Sequence, residues 1–267
     1  EINGIHMGKY TAKKDIPFTY TDYKFKIDSV YSVVNDMQIV KSKAIKVDKE
    51  SIYIDDFTMQ PYISSKKFKN SNTQSNTRLL VEVPKLAIKN MDWGYDKLDL
   101  YVNIGAIDID SINVKILDQK NQTVFQQAKK DAEKIIQPLI PFRMDIGAFN
   151  IKKSSFNSLG ILDVNNVNIK IKNLSNRVHQ HLLIDEFQLN NPQFVHIPKK
   201  GSNKKTSEPN KLNDVVLIKK MVVNDADYIL KDASGKKNRL TVDNFNLTLH
   251  NIEVNDKTVL SKVPFTY

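Results

Sequence analysis

One eight-residue pattern constrains the fold of this chain more than any other feature of its sequence. Apolar residues occupy its positions 1, 3, 6 and 8, and a mostly polar pair occupies positions 4 and 5; we call this pattern the octad. Apolar and polar residues alternate within each half, which predicts half-buried β-strands. Two octads, "LDVNNVNI" and "LTVDNFNL", are nearly identical. The octads lie at 18–25, 52–59, 81–88, 102–109, 144–151, 162–169, 182–189, 216–223 and 240–247.

The central pair of the octad decides which way its side chains point. In a regular strand, positions 1 and 3 face one side of the sheet and positions 6 and 8 the other. A β-bulge at the centre adds one residue and returns all four apolar side chains to the same face. The alternative is a two-residue hairpin turn at each centre, but the arms would be short and the favoured Asn-Gly or Asp-Gly pairs are missing. We therefore predict bulged or bent strands.

Larger segments also recur. Residues 145–173 resemble residues 216–251, because each has a strand, a polar segment, an aromatic residue (Phe156 or Tyr228), a glycine-containing turn and an octad strand. The sequence thus predicts a mainly β fold, an elongated and strongly curled antiparallel sheet of repeated hairpins. We expect residues 1–267 to form a single β-repeat region with approximate sub-units 1–120 and 139–267. Pro-Phe-Thr-Tyr occurs at 17–20 and again at 264–267, as if a new octad began there, so we expect the chain to be part of a longer protein.

One segment departs from the β pattern. Residues 121–138 place Phe125, Ala128, Ala132 and Ile135 at helical spacing, and Pro138 follows them. This spacing predicts an inserted α-helix near 121–138. Its narrow apolar stripe favours packing on the sheet, with the end of a cleft or a membrane surface as the other places that it could occupy.

Charge and composition narrow the functional classes. The formal net charge is +10, but the lysines gather in the polar stretches 64–78 and 198–214, which are typical of solvated loops. No aromatic residues interleave with them to form a stacking platform, so we expect no nucleic-acid partner. The chain has no cysteine, which excludes disulfides and thiolate chemistry. No apolar run is long enough for a spanning helix.

The sequence offers little catalytic chemistry. His179 and His181 would share one face of a strand, but two histidines without a third ligand fit a solvent-facing edge better than a metal site. Asp108 and Asp110 also share a face, but nothing in the sequence supplies the apolar pocket that acid–base catalysis by paired carboxylates needs. Trp93 could stack on a sugar, although tryptophan more often belongs to the core, where we place it. We predict no enzyme activity, no cofactor and no metal site.

The phrases "LTVDNFNLTLHNIEVND", "VPKLAIKNMDWGYDKLDLYVNIGAIDIDSINVKILDQ" and "KESIYIDDFTMQPY" resemble the AsmA/TamB-like envelope proteins, in the long form common in Bacteroidetes. The resemblance covers most of the chain and consists of a repeated texture. It implies a β-taco, a curled sheet with an apolar inner groove. It also implies a periplasmic or cell-envelope location, an N-terminal membrane anchor that this sequence does not contain, and a part in lipid transport or outer-membrane biogenesis. The segment 121–138 departs from an uninterrupted groove.

Together these observations predict a non-enzymatic envelope module whose partners are phospholipid or fatty acyl chains, with other envelope proteins as further partners. The alternative is a cell-surface β-sandwich that binds glycan or protein through its loops. The octad side chains would line either a groove or a closed core. The candidates are Phe18, Tyr20, Ile52, Ile54, Phe57, Met59, Leu162, Val164, Val167, Leu240, Val242 and Phe245.

Overall fold

The fold is taken from a computed structural model of the chain. It describes residues 1–3, 5, 22–35, 37–70, 77–96, 99–119, 142–176, 181–198 and 215–254. The segment 121–138, predicted to be helical, lies outside the described residues, as do Phe18 and Tyr20.

The described residues form fifteen strands and one short helix. In the first part of the chain these are β1 (Ile2–Asn3), β2 (Asp22–Ile27), β3 (Val30–Val33), β4 (Gln38–Ser42), β5 (Ala44–Asp48), β6 (Ile52–Pro61), α1 (Ser65–Asn70), β7 (Thr77–Asp96), β8 (Asp99–Ile109) and β9 (Asn113–Gln119). They are followed by β10 (Arg143–Ser158), β11 (Leu162–Ser175), β12 (His181–Asn190), β13 (Gln193–His196), β14 (Val215–Lys231) and β15 (Asn238–Val254).

All fifteen strands belong to one sheet. Its main path runs β1-β2-β5-β6-β7-β8-β10-β11-β12-β14, and β15 pairs with β14. The short strands β9 and β13 continue the line of β8 and β12, so that β9 pairs with β7 and β10, and β13 pairs with β11 and β14. The predicted mainly β fold class is therefore confirmed.

The sheet is mixed rather than purely antiparallel. β10 runs parallel to β8 and β9, and β14 runs parallel to β12 and β13. Parallel neighbours need a crossover connection of a dozen or more residues. Residues 120–142 and 197–214 are connections of that length. The sequence predicted the second of them as a solvated loop and gave no indication that it joins parallel strands.

The prediction of bulged strands is confirmed, and the hairpin alternative is wrong. Each octad from 52–59 onward lies inside one continuous strand, β6, β7, β8, β10, β11, β12, β14 or β15. In β8, Ile104 and Ile107 stand on opposite sides of the central pair, yet both are buried in the same hydrophobic cluster. Both halves of the octad therefore face one side of the sheet, which we call the apolar face.

In three octads the backbone at the centre shows how this is achieved. Asp56, Asn166 and Asn244 each occupy the second central position, and their φ angles are 51°, 55° and 50°. This left-handed conformation is costly for most residues, while Asn and Asp adopt it more readily than others. In these three octads the Asn or Asp thus suits the bent backbone as well as contact with solvent.

Octads on neighbouring strands pair with one another. Ile52 pairs with Ile88 and Met59 with Val81, so the octads of β6 and β7 match end to end without a shift in register. The octads of β8 and β10 match in the same way in a parallel pair. Because the bends coincide, they form a line across the sheet instead of disrupting it.

We call one such line the central row. It comprises Asn90, Gly105, Gly147, Asn173, Asp185, Lys219 and Asn251, on β7, β8, β10, β11, β12, β14 and β15 in that order. Asn90, Asn173 and Asn251 have φ angles of 53°, 52° and 55°. A Cβ on Gly105 would lie 2.7 Å from the Cβ of Asn90, and one on Gly147 would lie 2.9 Å from the carbonyl oxygen of Gly105. The glycines of the octad centres therefore permit the close approach of neighbouring strands.

The registers of two hairpins are equivalent. Phe156 pairs with Val164 in the β10–β11 hairpin, and Tyr228 pairs with Val242 in the β14–β15 hairpin. Further along the same hairpins, Ile146 pairs with Leu174 and Ile218 pairs with Ile252. β7, β11 and β15 hence occupy equivalent places, roughly 80 residues apart in the chain.

The helix α1 was not expected, because residues 64–78 read as a solvated loop. Ser64 Oγ accepts a hydrogen bond from the backbone N–H of Lys67 (3.2 Å), which caps the first turn. Phe68 is fully buried with Met37 and Ile63 in a small second cluster. Asp118 on β9 accepts hydrogen bonds from Ser65 and Arg78, so α1 is tied to the edge of β9. A single buried aromatic residue among lysines was too weak a signal to predict this helix.

The left-handed centres yield a test. We expect Asn166→Val to lower the free energy of unfolding by about 1–2 kcal/mol, because a β-branched residue resists the left-handed backbone. Asn166→Gly should leave it nearly unchanged. The neighbouring Asn165→Val is the matched control, since Asn165 is also exposed and has no positive φ. Urea unfolding measures all three, and an equal loss for Asn165→Val and Asn166→Val would contradict the explanation.

The close approach at the central row yields a second test. We expect Gly105→Ala to destabilise the chain by about 1–3 kcal/mol, the usual cost of overpacking. The added Cβ would overlap Asn90. Asn90→Gly removes that side chain and keeps a residue suited to the left-handed backbone, so it should rescue Gly105→Ala in a double-mutant cycle. Additive losses in thermal unfolding would show that the contact with Asn90 is not the cause.

Candidate functional site: the apolar face of the sheet

The apolar face is built from matched octads on neighbouring strands. Its best-buried part is a cluster of Val83, Ile104, Ile107, Ile109 and Ile146 on β7, β8 and β10. Around this cluster lie half-buried apolar side chains, most of them from octads, which are Phe57, Val81, Leu86, Ile88, Met91, Val102, Ile112, Met144, Phe149, Ile151 and Leu174. The described residues contain no second sheet that packs on this face. Much of its apolar area is consequently only half covered.

The predicted site residues lie on three strands of this face. Ile52, Ile54, Phe57 and Met59 are half-buried on β6. On β11, Leu162 and Val164 are half-buried and Val167 is buried. On β15, Phe245 is half-buried, whereas Leu240 and Val242 are 48% and 37% exposed. Coverage thus decreases towards β15, and the assignment of these residues to a groove rather than a core stays a prediction.

Two octads that were not predicted from the sequence overlap the predicted ones. Leu86, Ile88, Met91 and Trp93 form one on β7, and Leu247, Leu249, Ile252 and Val254 form another on β15. In β11 and β15 the left-handed residues stand seven apart, at Asn166 and Asn173 and at Asn244 and Asn251. A search for asparagine at this spacing would have found the second octad on β15 and the second bend on β11.

A depression of 520 Å³ lies between β2, the turn that follows β5, and β7. It is lined by Tyr23, Lys49, Glu50, Asn90, Met91, Asp92 and Trp93. Trp93 is 47% exposed and Tyr95, at the end of the same strand, is 69% exposed. The placement of Trp93 in the core was therefore wrong, because the β7–β8 turn carries it beyond the covered part of the face. Two exposed aromatic residues at one hairpin are a surface on which a ring or a chain could stack.

The opposite face of the sheet is polar and held together by charge pairs. Lys89 Nζ donates to Asp108 Oδ2 (2.8 Å), and Asn150 Nδ2 donates to Asp108 Oδ1 (2.9 Å). The hydrogen bond from Lys89, then the one from Asn150, lowers the pKa of Asp108 from its ordinary value. An ionised carboxylate with these partners is a structural contact between β7, β8 and β10, not a proton donor. Asp110 is exposed.

The central row contains a second charge pair. Asn173 Nδ2 donates to Asp185 Oδ2 (2.9 Å), and Lys219 Nζ lies 2.6 Å from Asp185 Oδ1. At Gly105 and Gly147 in this row, the neighbouring strands are joined by close approach of their backbones. At Asp185, a short acidic side chain joins β12 to β11 and β14 instead. The hydrogen bond from Lys219, followed by that from Asn173, lowers the pKa of Asp185.

Within the described ranges, no three acidic, histidine or cysteine residues lie close enough to hold a metal ion. His179 lies outside the described residues, and His181 begins β12. The described part of the chain also has no helix long and apolar enough to cross a membrane.

Three comparisons with known proteins give no relative. No family model, no curated protein and no solved structure matches the chain. The resemblance to AsmA/TamB-like proteins accordingly stays a prediction.

The charge pair at the central row gives a pH test. A carboxyl whose folded pKa is lowered stabilises the fold above its unfolded pKa, and this contribution is lost as the pH falls through the folded value. We expect Lys219→Met to raise the pKa of Asp185 towards its ordinary value, which moves this loss to higher pH. Carbon-detected NMR titration measures the change. Lys220→Met is the matched control and should leave Asp185 unaltered; an equal shift in both variants would indicate a general charge effect.

Proposed function

We propose that this chain is a non-enzymatic, lipid-handling module of a bacterial cell envelope, and that the apolar face receives the acyl chains of phospholipids or fatty acids. A single observation carries the proposal, namely that matched octads line one face of a large sheet and no second sheet in the described residues covers it. A sheet with one apolar face stabilises itself by covering that face, either with protein or with a guest.

The shape of the strands supports a concave site. Bulges bend a strand and increase its twist. Here left-handed bends stand at several octad centres, and the centres of paired octads lie side by side. A sheet bent along one line becomes a trough. Acyl chains would be held by burial of apolar area, which is non-directional and needs no catalytic or metal-binding residue. A periplasmic location, an anchor in the full-length protein and a part in lipid transport or outer-membrane biogenesis belong to the same proposal.

A second candidate function is favoured by one observation. Trp93 and Tyr95 are exposed beside a depression that also contains the polar residues Lys49, Glu50 and Asp92. Exposed aromatic rings with polar neighbours suit the stacking of a sugar, which is the glycan-binding alternative. This function would need only one end of the sheet, whereas acyl-chain binding would use its whole apolar face.

Lipid uptake tests the proposal. The purified chain is extracted with organic solvent for co-purified lipid and then titrated with a fluorescent fatty acid. Ile54→Lys with Val242→Lys places two charges on the apolar face. We expect this double variant to bind the fatty acid about tenfold more weakly, because a charge in an apolar site is poorly solvated.

The control uses the same strands. Tyr53→Lys with Thr241→Lys places the charges one residue away, on the opposite face, at positions that are already exposed. It should bind within about twofold of the parent chain. Absence of both co-purified lipid and fatty-acid uptake by the parent chain would refute lipid handling. Binding of a soluble oligosaccharide that Trp93→Ala abolishes would then favour the glycan-binding function.

A further inference from the structure

β15 is the strand whose surroundings differ most from those of its equivalents. It pairs with β14 in the register in which β11 pairs with β10. On its other side, β11 pairs with β12 along one half and with β13 along the other. β7 pairs with β8 and β9 in the same two halves. Among the described residues β15 pairs with β14 alone.

The apolar side chains of β15 reflect this difference. Leu240, Val242 and Leu247 are 48%, 37% and 41% exposed. The equivalent residues of β11, Leu162, Val164 and Ile169, are half-buried because β12 and β13 lie beside them. A strand of 17 residues with an apolar row along an open edge is a template for pairing with another strand.

The bends of β15 restrict which strand can pair there. Asn244 and Asn251 are left-handed, so the edge is not straight and a regular flat strand does not match it. β8 and β12 show what does match. Each is an antiparallel octad strand whose fourth position stands opposite the left-handed asparagine of its neighbour.

The fourth position of the incoming strand follows a simple rule. Opposite Asn90 stands Gly105, where a Cβ would lie 2.7 Å from the Cβ of Asn90. Opposite Asn173 stands Asp185, which accepts a hydrogen bond from Asn173 Nδ2 at 2.9 Å. On the side of the asparagine where β8 and β12 lie, the residue opposite it is thus either a glycine or a short acidic residue that bonds the asparagine, whereas on the β14 side Lys219 stands opposite Asn251.

We propose that the edge of β15 that no described strand pairs with binds a further antiparallel octad strand with Gly or Asp opposite Asn251, so that the sheet and its apolar face extend by another unit of the same kind. The occupant is an extended peptide segment with the octad pattern. Main-chain hydrogen bonds supply most of the attraction, and the fourth position and the apolar row supply the selectivity. The inference concerns pairing of strands and is independent of whether the apolar face holds lipid.

The probe for the experiment is a fluorescent synthetic peptide with the sequence of residues 181–196, which spans β12 and β13. We expect it to bind the full chain and to slow hydrogen–deuterium exchange of the backbone amides of β15. The peptide variants test the rule without altering the fold of the protein. Asp185→Gly in the peptide should bind within about threefold of the parent peptide, and Asp185→Leu about tenfold more weakly.

A variant of the protein provides the second arm. Leu247→Lys places a charge on the exposed apolar row of the edge, where natural sheets use lysine to prevent pairing, and we expect it to weaken binding of the peptide about tenfold. His250→Lys, on the same strand but on the opposite face, is the matched control and should bind nearly as the parent does.

Three results would overturn the proposal. The first is no binding of the parent peptide, or equal binding of Asp185→Gly and Asp185→Leu. The second is slowed exchange elsewhere than in β15, or faster exchange in β11 and β14, which would mean that the peptide replaces β12 within the sheet. The third is protection of β15 by self-association alone with no response to the peptide, which would assign the edge to a second copy of the chain.

Discussion

The structure depends on how a strand can bend and still keep its apolar side chains on one face. A regular strand alternates strictly, so any added residue reverses every side chain beyond it. Three octads solve this with a central pair whose second residue adopts a left-handed backbone, namely Asp56, Asn166 and Asn244. The conformation is strained for most residues, and the sequence accordingly places Asn or Asp there. The face, the bend and the polar centre of the octad are thus one feature and not three.

A bend in one strand is tolerated only if its neighbours bend with it. The matched octads meet this condition, because the pairing of β6 with β7 and of β8 with β10 keeps its register through the centres. Along the central row the same problem has two local solutions. Gly105 and Gly147 allow the backbones to approach closely, while Asp185 links Asn173 and Lys219 through polar contacts. The equivalence of these solutions explains why octad centres differ in sequence while the sheet stays continuous.

Much of this could be predicted from the sequence, for a physical reason. Alternation and the octad are local, so strands, bulges and the shared face of Ile104 and Ile107 follow from residues close together in the chain. Strand order and direction are not local. The parallel placement of β10 beside β8 depends on where the crossover connection rejoins the sheet, and no residue pattern specifies that position.

The helix α1 was missed because the burial of a single side chain, Phe68, stabilises it. The exposure of Trp93 was missed because Trp93 lies in the part of β7 that extends beyond the strands covering it, and the sequence does not show where that coverage ends. Whether the apolar face holds a guest depends on what covers it, which the octad alone does not specify.

The seven-residue spacing of left-handed asparagines along β11 and β15 means that the length of the strands and the width of the sheet can change independently. Each further set of seven residues lengthens a strand by about 23 Å and adds one bend, at a rise of about 3.3 Å per residue. Each further unit widens the sheet by whole strands and adds no bend. Insertions of seven residues within a strand, or of entire units between strands, hence preserve which side chains face inward, whereas an insertion of one residue reverses half of a strand. Duplication can therefore lengthen the strands of such a chain or increase their number, each in fixed steps and independently of the other. Every added side chain then lies on the face of the sheet that its position in the octad specifies.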